Sequence, residues 1–136
     1  MRHVSSCVLD ASCILAVLRR EDGFQHVLPR LSGGLVSSVN MAEVYCCLRR
    51  LGSDPEMDHR AIPRMQLQQV PFDDRQAAFV ASIYPRTLGS SLGLADRACI
   101  ALGLSKGLPV LTGDRAWLGF ELDIEIELFR SQESSA

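Results

Sequence analysis

Short apolar runs alternate with stretches of helical periodicity along nearly the whole chain, and this alternation limits the fold more than any other feature. In residues 39–51, for example, Met41, Val44, Tyr45 and Leu48 recur at the spacing of one helix face. Strands that alternate with helices are typical of a parallel sheet that is covered by helices on both faces. The sequence therefore predicts an α/β fold, a three-layer α/β/α sandwich with a central parallel sheet of about five strands.

The order of the strands follows from their composition. Strands are predicted at residues 6–10, 35–37, 70–72, 108–111 and 124–128, and helices at residues 11–20, 23–31, 39–51, 55–67, 73–85 and 94–105, with a Gly- and Ser-rich loop at 87–93. Pro71 lacks a ladder donor and residues 124–128 alternate between apolar and polar side chains, so strands three and five are predicted as edges. The first and fourth strands are continuously apolar and are predicted as central. Right-handed crossovers then give the order 3-2-1-4-5, with a topological switch point between strands one and four, where ligands bind in such sheets.

Length and charge narrow the class of protein. The 136 residues suit one domain, predicted over residues 1–130, followed by a frayed polar tail at 131–136. The net charge of −2 excludes a polycation, so that contact with nucleic acid has to depend on local patches. No apolar run reaches the roughly 18 residues of a membrane span, and no secretory signal is recognisable at the N-terminus. A cytoplasmic protein without a membrane segment is predicted.

The cysteines and histidines do not form a recognisable metal or disulfide pattern. The five cysteines contain no CxxC pair and are predicted to be reduced core residues. They are Cys7, Cys13, Cys46, Cys47 and Cys99. The three histidines are scattered and are predicted to be surface residues: His3, His26 and His59.

Four acidic residues are predicted to converge at the carboxyl end of the sheet. Asp10 ends strand one, Glu43 lies early in the helix after strand two, Asp96 lies in the first turn of the helix before strand four, and Asp114 follows strand four. Each also has a structural explanation as a helix cap or first-turn acid, and residues 40–43 resemble a capping box with Asn40 in the cap position.

The four acids together are harder to explain structurally than any one of them. Two charges ~5 Å apart repel by ~3 kcal/mol at an effective dielectric constant near ~20, and four in one cleft multiply this repulsion. Basic neighbours such as Arg97 or Arg115 offset part of it. Otherwise the cluster needs a divalent cation, or the carboxyl pKa values must rise. Hard oxygen donors without a His or Cys pattern suit Mg²⁺ or Mn²⁺.

Four sequence segments carry a resemblance to a known family. They are VLDAS at residues 8–12, SVNMAE at 38–43, GLADRA at 93–98 and LTGDRAW at 111–117. In this order and at these spacings they resemble the PIN-domain ribonucleases, and most of all the VapC-type toxins of VapBC toxin–antitoxin modules, over roughly residues 5–128. The resemblance implies an α/β/α sandwich and an Mg²⁺- or Mn²⁺-dependent endoribonuclease that leaves a 5′-phosphate. It also implies a small VapB-type antitoxin as partner and a homodimer.

The resemblance assigns roles to individual residues. The four acids of the family match Asp10, Glu43, Asp96 and Asp114, with Asp10 and Asp96 as principal metal ligands and the other two completing the site directly or through water. The polar residues that support these acids match Ser12, Asn40 and Thr112. Gly113 stands where alanine is common in the family, a departure that is expected to loosen the turn without removing a ligand. Residues 52–72 and 86–93 match no assignable pattern, so the substrate contacts stay open.

Three other classes of protein compete with this interpretation. A phosphoacceptor receiver domain needs an acid pair after strand one and a lysine after the last strand, and the one lysine, Lys106, precedes strand four. Phosphatases of the haloacid dehalogenase type need Asp-x-Asp, whereas this chain has Asp10 followed two residues later by Ser12. A non-catalytic PIN-like module that binds RNA or a protein remains the alternative to the nuclease.

Overall fold

The computed structural model describes residues 6–130 and contains one parallel sheet of five strands in the order β3-β2-β1-β4-β5. The strands are β1 Val8–Leu9, β2 Leu35–Ser37, β3 Gln68–Val70, β4 Val110–Thr112 and β5 Ile126–Leu128. The α-helices are α1 Ala11–Arg19, α2 Phe24–Leu31, α3 Ser38–Arg50, α4 Pro55–Arg64, α5 Asp74–Ile83 and α6 Leu94–Lys106, with 3-10 helices at Pro85–Thr87 and Arg115–Gly119. The predicted α/β/α fold and strand order are confirmed.

Several element boundaries differ from the predicted ones. The third strand is Gln68–Val70 rather than residues 70–72, and it pairs with Leu35–Ser37. Pro71 has no N–H to donate, so the ladder stops before it. Helix α4 ends at Arg64, three residues early, and Gln66 beyond it adopts a left-handed backbone with φ 55°.

The hydrophobic core lies on both faces of the sheet. Val8 and Leu9 are neighbours in β1 and both are fully buried, yet Leu9 packs into the cluster with α1, α2 and α3 while Val8 packs into the cluster with α6. Successive strand side chains point to opposite faces, so a central strand of an α/β sheet has to be apolar at every position. Because β1 is buried on both faces of the sheet, its carboxyl end is held in place, and so is Asp10, which follows it directly.

The cysteines only partly match the predicted core role. All five thiols are free; Cys7, Cys13 and Cys99 are buried, but Cys46 is exposed and Cys47 is half-buried. The prediction is wrong for Cys46 because it lies two positions from the buried Val44, on the other side of α3.

The remaining sequence predictions concern the histidines, the C-terminal tail and membrane-spanning segments. His26 and His59 are exposed as predicted, whereas His3 and the predicted tail at 131–136 lie outside the described residues. No helix among residues 6–130 combines the length and the apolar character needed to cross a membrane.

Candidate active site

An open cleft of about 380 Å³ lies at the carboxyl edge of the sheet, at the switch point between β1 and β4. All four acids singled out from the sequence line it. Among residues 6–130, the lining residues are Asp10, Ala11, Ser12, Leu15, Glu43, Cys46, Cys47, Arg50, Asp96 and Asp114. The fold therefore brings together carboxylates that are separated by up to 104 positions in the chain, from Asp10 to Asp114.

Three of the acids reach the cleft because they also begin helices. Asp10 is the N-cap of α1 and accepts the Cys13 N–H at 3.2 Å. Asp96 lies in the first turn of α6 and accepts the Gly93 N–H at 3.1 Å. Asp114 caps the 3-10 helix Arg115–Gly119 through its Oδ1. Each of these backbone contacts uses one carboxylate oxygen, so the structural and the chemical interpretation of these residues are compatible.

Asp10 is held by two hydroxyl groups, one on each oxygen. Ser12 Oγ donates to Asp10 Oδ1 at 2.5 Å, and Thr112 Oγ1 donates to Asp10 Oδ2 at 2.6 Å. The same hydroxyl oxygens accept backbone N–H groups, Ser12 from Gly113 at 3.0 Å and Thr112 from Asp114 at 3.1 Å. These N–H groups orient the hydroxyl protons toward the carboxylate, which suits the ionised form of Asp10.

Asn40 is not the helix cap that the sequence predicted. The N-cap of α3 is Ser37, whose Oγ accepts the Val39 N–H at 3.2 Å, and Asn40 is buried inside the helix. Asn40 Nδ2 donates to the carbonyl oxygen of Ala95 at 3.0 Å and, more weakly, to Glu43 Oε1 at 3.5 Å. Asn40 therefore joins α3 to the first turn of α6, beside Asp96.

Burial raises the pKa of three carboxyl groups in the cleft, and repulsion between the acids adds to the rise for Glu43 and Asp96. Burial raises the pKa of Asp10, although the hydrogen bonds from Ser12, Thr112 and Cys13 oppose this. Burial also raises the pKa of Glu43, and the charges of Asp96 and Asp10 add to the effect. The pKa of Asp96 is raised by burial and by the charge of Asp114, against the Gly93 N–H and Arg97. The cleft thus stores electrostatic repulsion that a bound cation would relieve.

Comparison with known proteins identifies the family of this chain. The sequence model described as the PIN domain matches residues 7–120, which is most of the chain. The chain belongs to the PIN domain family. No curated protein matches the sequence.

Solved structures with the same fold include several toxin–antitoxin proteins. DNA-bound VapBC from Salmonella typhimurium superimposes with a TM-score of 0.71 at 21% identity, covering 93% of this chain and 99% of that one. VapBC2 from Rickettsia felis, bound to a promoter DNA fragment, gives 0.70 at 10% identity, covering 91% and 98%. A sarcin–ricin-loop-cleaving VapC toxin from Mycobacterium tuberculosis gives 0.66 at 16% identity, covering 87% and 98%. At these identities the likeness concerns the fold.

The donor set of this PIN domain suits an oxygen-preferring cation that keeps part of its water. Within residues 6–130, no three His, Cys, Asp or Glu side chains are arranged to hold an ion by themselves. Mg²⁺ usually retains several waters and takes only one or two carboxylates directly. Asn40 Oδ1 is buried without a hydrogen-bond partner among these residues, but Asn40 is not one of the residues that line the cleft. The residues present therefore fit such a cation if water completes its coordination.

Sequence reasoning missed Arg50, Cys46 and Cys47, which also line the cleft of the PIN domain. A signal for two of them is present in the sequence. Asn40, Glu43, Cys47 and Arg50 recur at spacings of three, four and three residues, so they share one face of α3. The apolar face of the same helix, with Val44 at its centre, is the more obvious pattern.

The two arginines considered as counter-charges lie outside this lining. Arg97 stacks over the Tyr84 ring at 4.9 Å and donates from Nε to Thr87 Oγ1 at 2.9 Å. Arg115 follows Asp114 in the 3-10 helix and is exposed. Arg97 lowers the pKa of Asp96.

Replacing Thr112 tests the hydroxyl support of Asp10. Thr112→Val keeps the shape of this buried side chain but leaves Asp10 Oδ2 and the Asp114 N–H without their partner. We expect a further rise in the Asp10 pKa and a loss of about 1–3 kcal/mol in the free energy of unfolding. Carboxyl-carbon NMR titration and urea denaturation measure the two effects. Thr112→Ser retains the hydroxyl and should leave the pKa unchanged; the same pKa in both variants would contradict the assignment.

Gly113 tests the packing behind the cleft. A Cβ at this position would lie 2.6 Å from Arg130 Nε and 2.8 Å from Phe129 Cζ, so the glycine permits a close approach rather than merely loosening the turn. We expect Gly113→Ala to lower the free energy of unfolding by about 1–3 kcal/mol. Gly119→Ala is the control, since nothing lies within 4 Å of its added Cβ. Equal denaturant midpoints for the two variants would refute this explanation.

Proposed function

We propose that this PIN domain is a metal-dependent endoribonuclease and acts as the VapC-type toxin of a type II toxin–antitoxin system. The observation that carries the proposal is the cleft in which four carboxylates meet at the switch point of the sheet. Three of these carboxyl groups have a raised pKa. Retaining several partly desolvated acids in one cleft destabilises the fold, and a role in cation binding and phosphodiester hydrolysis accounts for keeping them.

The residues of the cleft have different roles in the proposed hydrolysis. Mg²⁺ or Mn²⁺, when bound, would neutralise charge on the scissile phosphate and lower the pKa of an attacking water. Asp10 and Asp96 are the principal ligands in this proposal, and Glu43 and Asp114 complete the site directly or through water. The hydrogen bonds from Ser12 and Thr112 orient Asp10 and favour its ionised form, against the effect of burial. Glu43 accepts the proton of the attacking water in this proposal, which its exposure and raised pKa support.

The partners follow from the same proposal. The substrate is RNA, cleaved to leave a 5′-phosphate, and the inhibitor is a cognate VapB-type antitoxin. Neighbours of the same fold are toxin–antitoxin complexes, which supports an antitoxin as the partner of this chain. A homodimer in the cytoplasm completes the proposed arrangement.

A non-catalytic PIN-like module that binds RNA or a protein is the second candidate. The observation in its favour is that no three acidic, His or Cys side chains among residues 6–130 hold an ion unaided. Such a module would bind its partner with or without divalent metal and would leave RNA intact.

One experiment separates the two candidates. The purified protein is incubated with total RNA in Mg²⁺, in Mn²⁺ and in EDTA, and the products are sequenced from their 5′ ends. We expect discrete 5′-phosphate ends that require metal and that disappear when the small protein encoded by the adjacent reading frame is added. Intact RNA at every metal concentration would favour the binding module.

A further inference from the structure

Within the described part of the chain, residues 6–130, Arg50 is the one basic side chain that lines the acidic cleft. It is the last residue of α3 and follows Glu43 by seven positions, which is two helical turns or about 10 Å along the helix axis. Residues seven apart lie on the same helix face. Arg50 therefore lines the cleft about two helical turns beyond Glu43, on the same side of α3.

The neighbouring arginine has a different environment. Arg49 forms an ion pair with the buried carboxylate of Asp58, which also accepts a hydrogen bond from Ser53 Oγ at 2.7 Å. These contacts join the end of α3 to α4. Arg49 is thus a structural residue.

The guanidinium of Arg50 is mostly uncommitted. Among residues 6–130, its hydrogen-bond partner is the sulfur of Cys47, at 3.4 Å from Nη2. Sulfur is a weak acceptor, and a guanidinium has five donors in a planar fork. Arg50 is exposed and lines the cleft, so the donors that Cys47 does not use are available to a ligand that offers paired oxygen acceptors.

An RNA strand that enters this cleft brings such acceptors. Every phosphate that a cation does not neutralise is repelled by the four carboxylates of the cleft, those of Asp10, Glu43, Asp96 and Asp114. A cation bound at these carboxylates would neutralise the scissile phosphate. Phosphates on either side of it need a separate positive group. Guanidinium binds phosphate with two parallel hydrogen bonds, which fixes direction as well as position.

We infer that Arg50 binds a phosphate that flanks the scissile one, and thereby sets the direction in which the RNA strand crosses the cleft. This inference rests on the proposed ribonuclease function and adds a substrate-binding residue to it. Arg50 holds the strand along α3 toward Cys47 and away from the first turn of α6. Its contribution belongs to substrate binding and not to the chemical step.

Binding is measured first, in an Asp96→Asn background with Mg²⁺ so that cleavage does not interfere. The probe is a fluorescein-labelled single-stranded RNA of mixed sequence, followed by anisotropy at several salt concentrations. We expect Arg50→Ala to weaken binding about tenfold at low salt and to reduce the slope of log K against log salt by about 0.7. Arg50→Lys should keep the slope and lose part of the affinity, because it keeps the charge without the fork.

Arg60→Ala is the matched control, since Arg60 is an exposed arginine on α4, 3.7 Å from Glu56 and outside the cleft lining. Identical affinities and salt slopes for the Arg50 and Arg60 variants would overturn the inference, as would an RNA that binds none of the proteins. A lower melting temperature of Arg50→Ala with an unchanged salt slope would show a structural counter-ion instead, and would overturn it too.

Cleavage kinetics then separate this inference from the proposed function. With native Asp96, Arg50→Ala should raise KM about tenfold with kcat within about twofold, the pattern for an interaction made equally in the ground and transition states. A protein that binds RNA but never cleaves it would refute the ribonuclease, while the binding comparison would still decide the role of Arg50.

Discussion

Asp96→Asn should lower the rate of metal-dependent RNA cleavage by at least about 100-fold while the fold is retained. Asparagine keeps a side-chain oxygen that can accept the Gly93 N–H, so the first turn of α6 stays capped. What it removes is a negative charge and an ionic oxygen ligand in the cleft. Single-turnover cleavage of a labelled RNA gives the rate, and circular dichroism with thermal melting checks the fold.

Asp10→Asn should likewise lower the rate of metal-dependent RNA cleavage, but it disturbs the fold more than Asp96→Asn does. Asp10 is buried and accepts hydrogen bonds on both oxygens, so an amide NH₂ would face the hydroxyl of either Ser12 or Thr112. Asp22→Asn is the matched control for both variants, because Asp22 is exposed and is not one of the residues that line the cleft. If Asp22→Asn loses as much activity as Asp96→Asn, the loss reflects general instability and the site assignment fails.

The strand order was predictable because two local features excluded the alternatives. Pro71 and the polar alternation of residues 124–128 marked the edges, and uninterrupted apolar runs marked the centre. The exact limits of the strands were not predictable. Strand β3 consists of Gln68, Gln69 and Val70, and the two glutamines have no β pattern of their own; they are in a strand because Leu35 and Val36 of β2 pair with them.

The meeting of the four acids was predictable because each follows a strand or begins a helix, and such positions gather at one edge of a parallel sheet. The contacts of Asn40 and Arg50 were not. Ser37 lies three positions before Asn40 and is an equally good cap, and only the packing of α3 against α6 decides between them. Whether Arg49 or Arg50 faces the cleft depends on the rotation of α3, which Val44, Leu48 and Asp58 fix through long-range contacts.

Asp96→Asn should also reverse its effect on stability when Mg²⁺ is added. In the metal-free protein the pKa of Asp96 is raised above its unfolded value. The stability that this group contributes is therefore complete at pH values below the unfolded pKa and is lost as the pH rises through the folded pKa. Once the pH exceeds the folded pKa, burial and the charge of Asp114 both oppose the ionised Asp96, so the Asn variant should have the higher melting temperature, and the difference should vanish in acid.

Saturating Mg²⁺ should invert this order at neutral pH, because the cation binds the ionised carboxylates of the folded state. At a hundred times its dissociation constant, Mg²⁺ stabilises the native protein by about 2.7 kcal/mol, a rise of roughly 10 °C in Tm for a domain of this size. The Asn variant should gain much less, and in both proteins the gain should fall as the pH drops and protons compete for the same oxygens. Differential scanning fluorimetry between pH 4 and pH 8, with and without Mg²⁺, measures all four curves. If the order of wild type and variant is the same with and without Mg²⁺, Asp96 does not bind the cation; if the two metal-free curves coincide at all pH values, the repulsion is refuted.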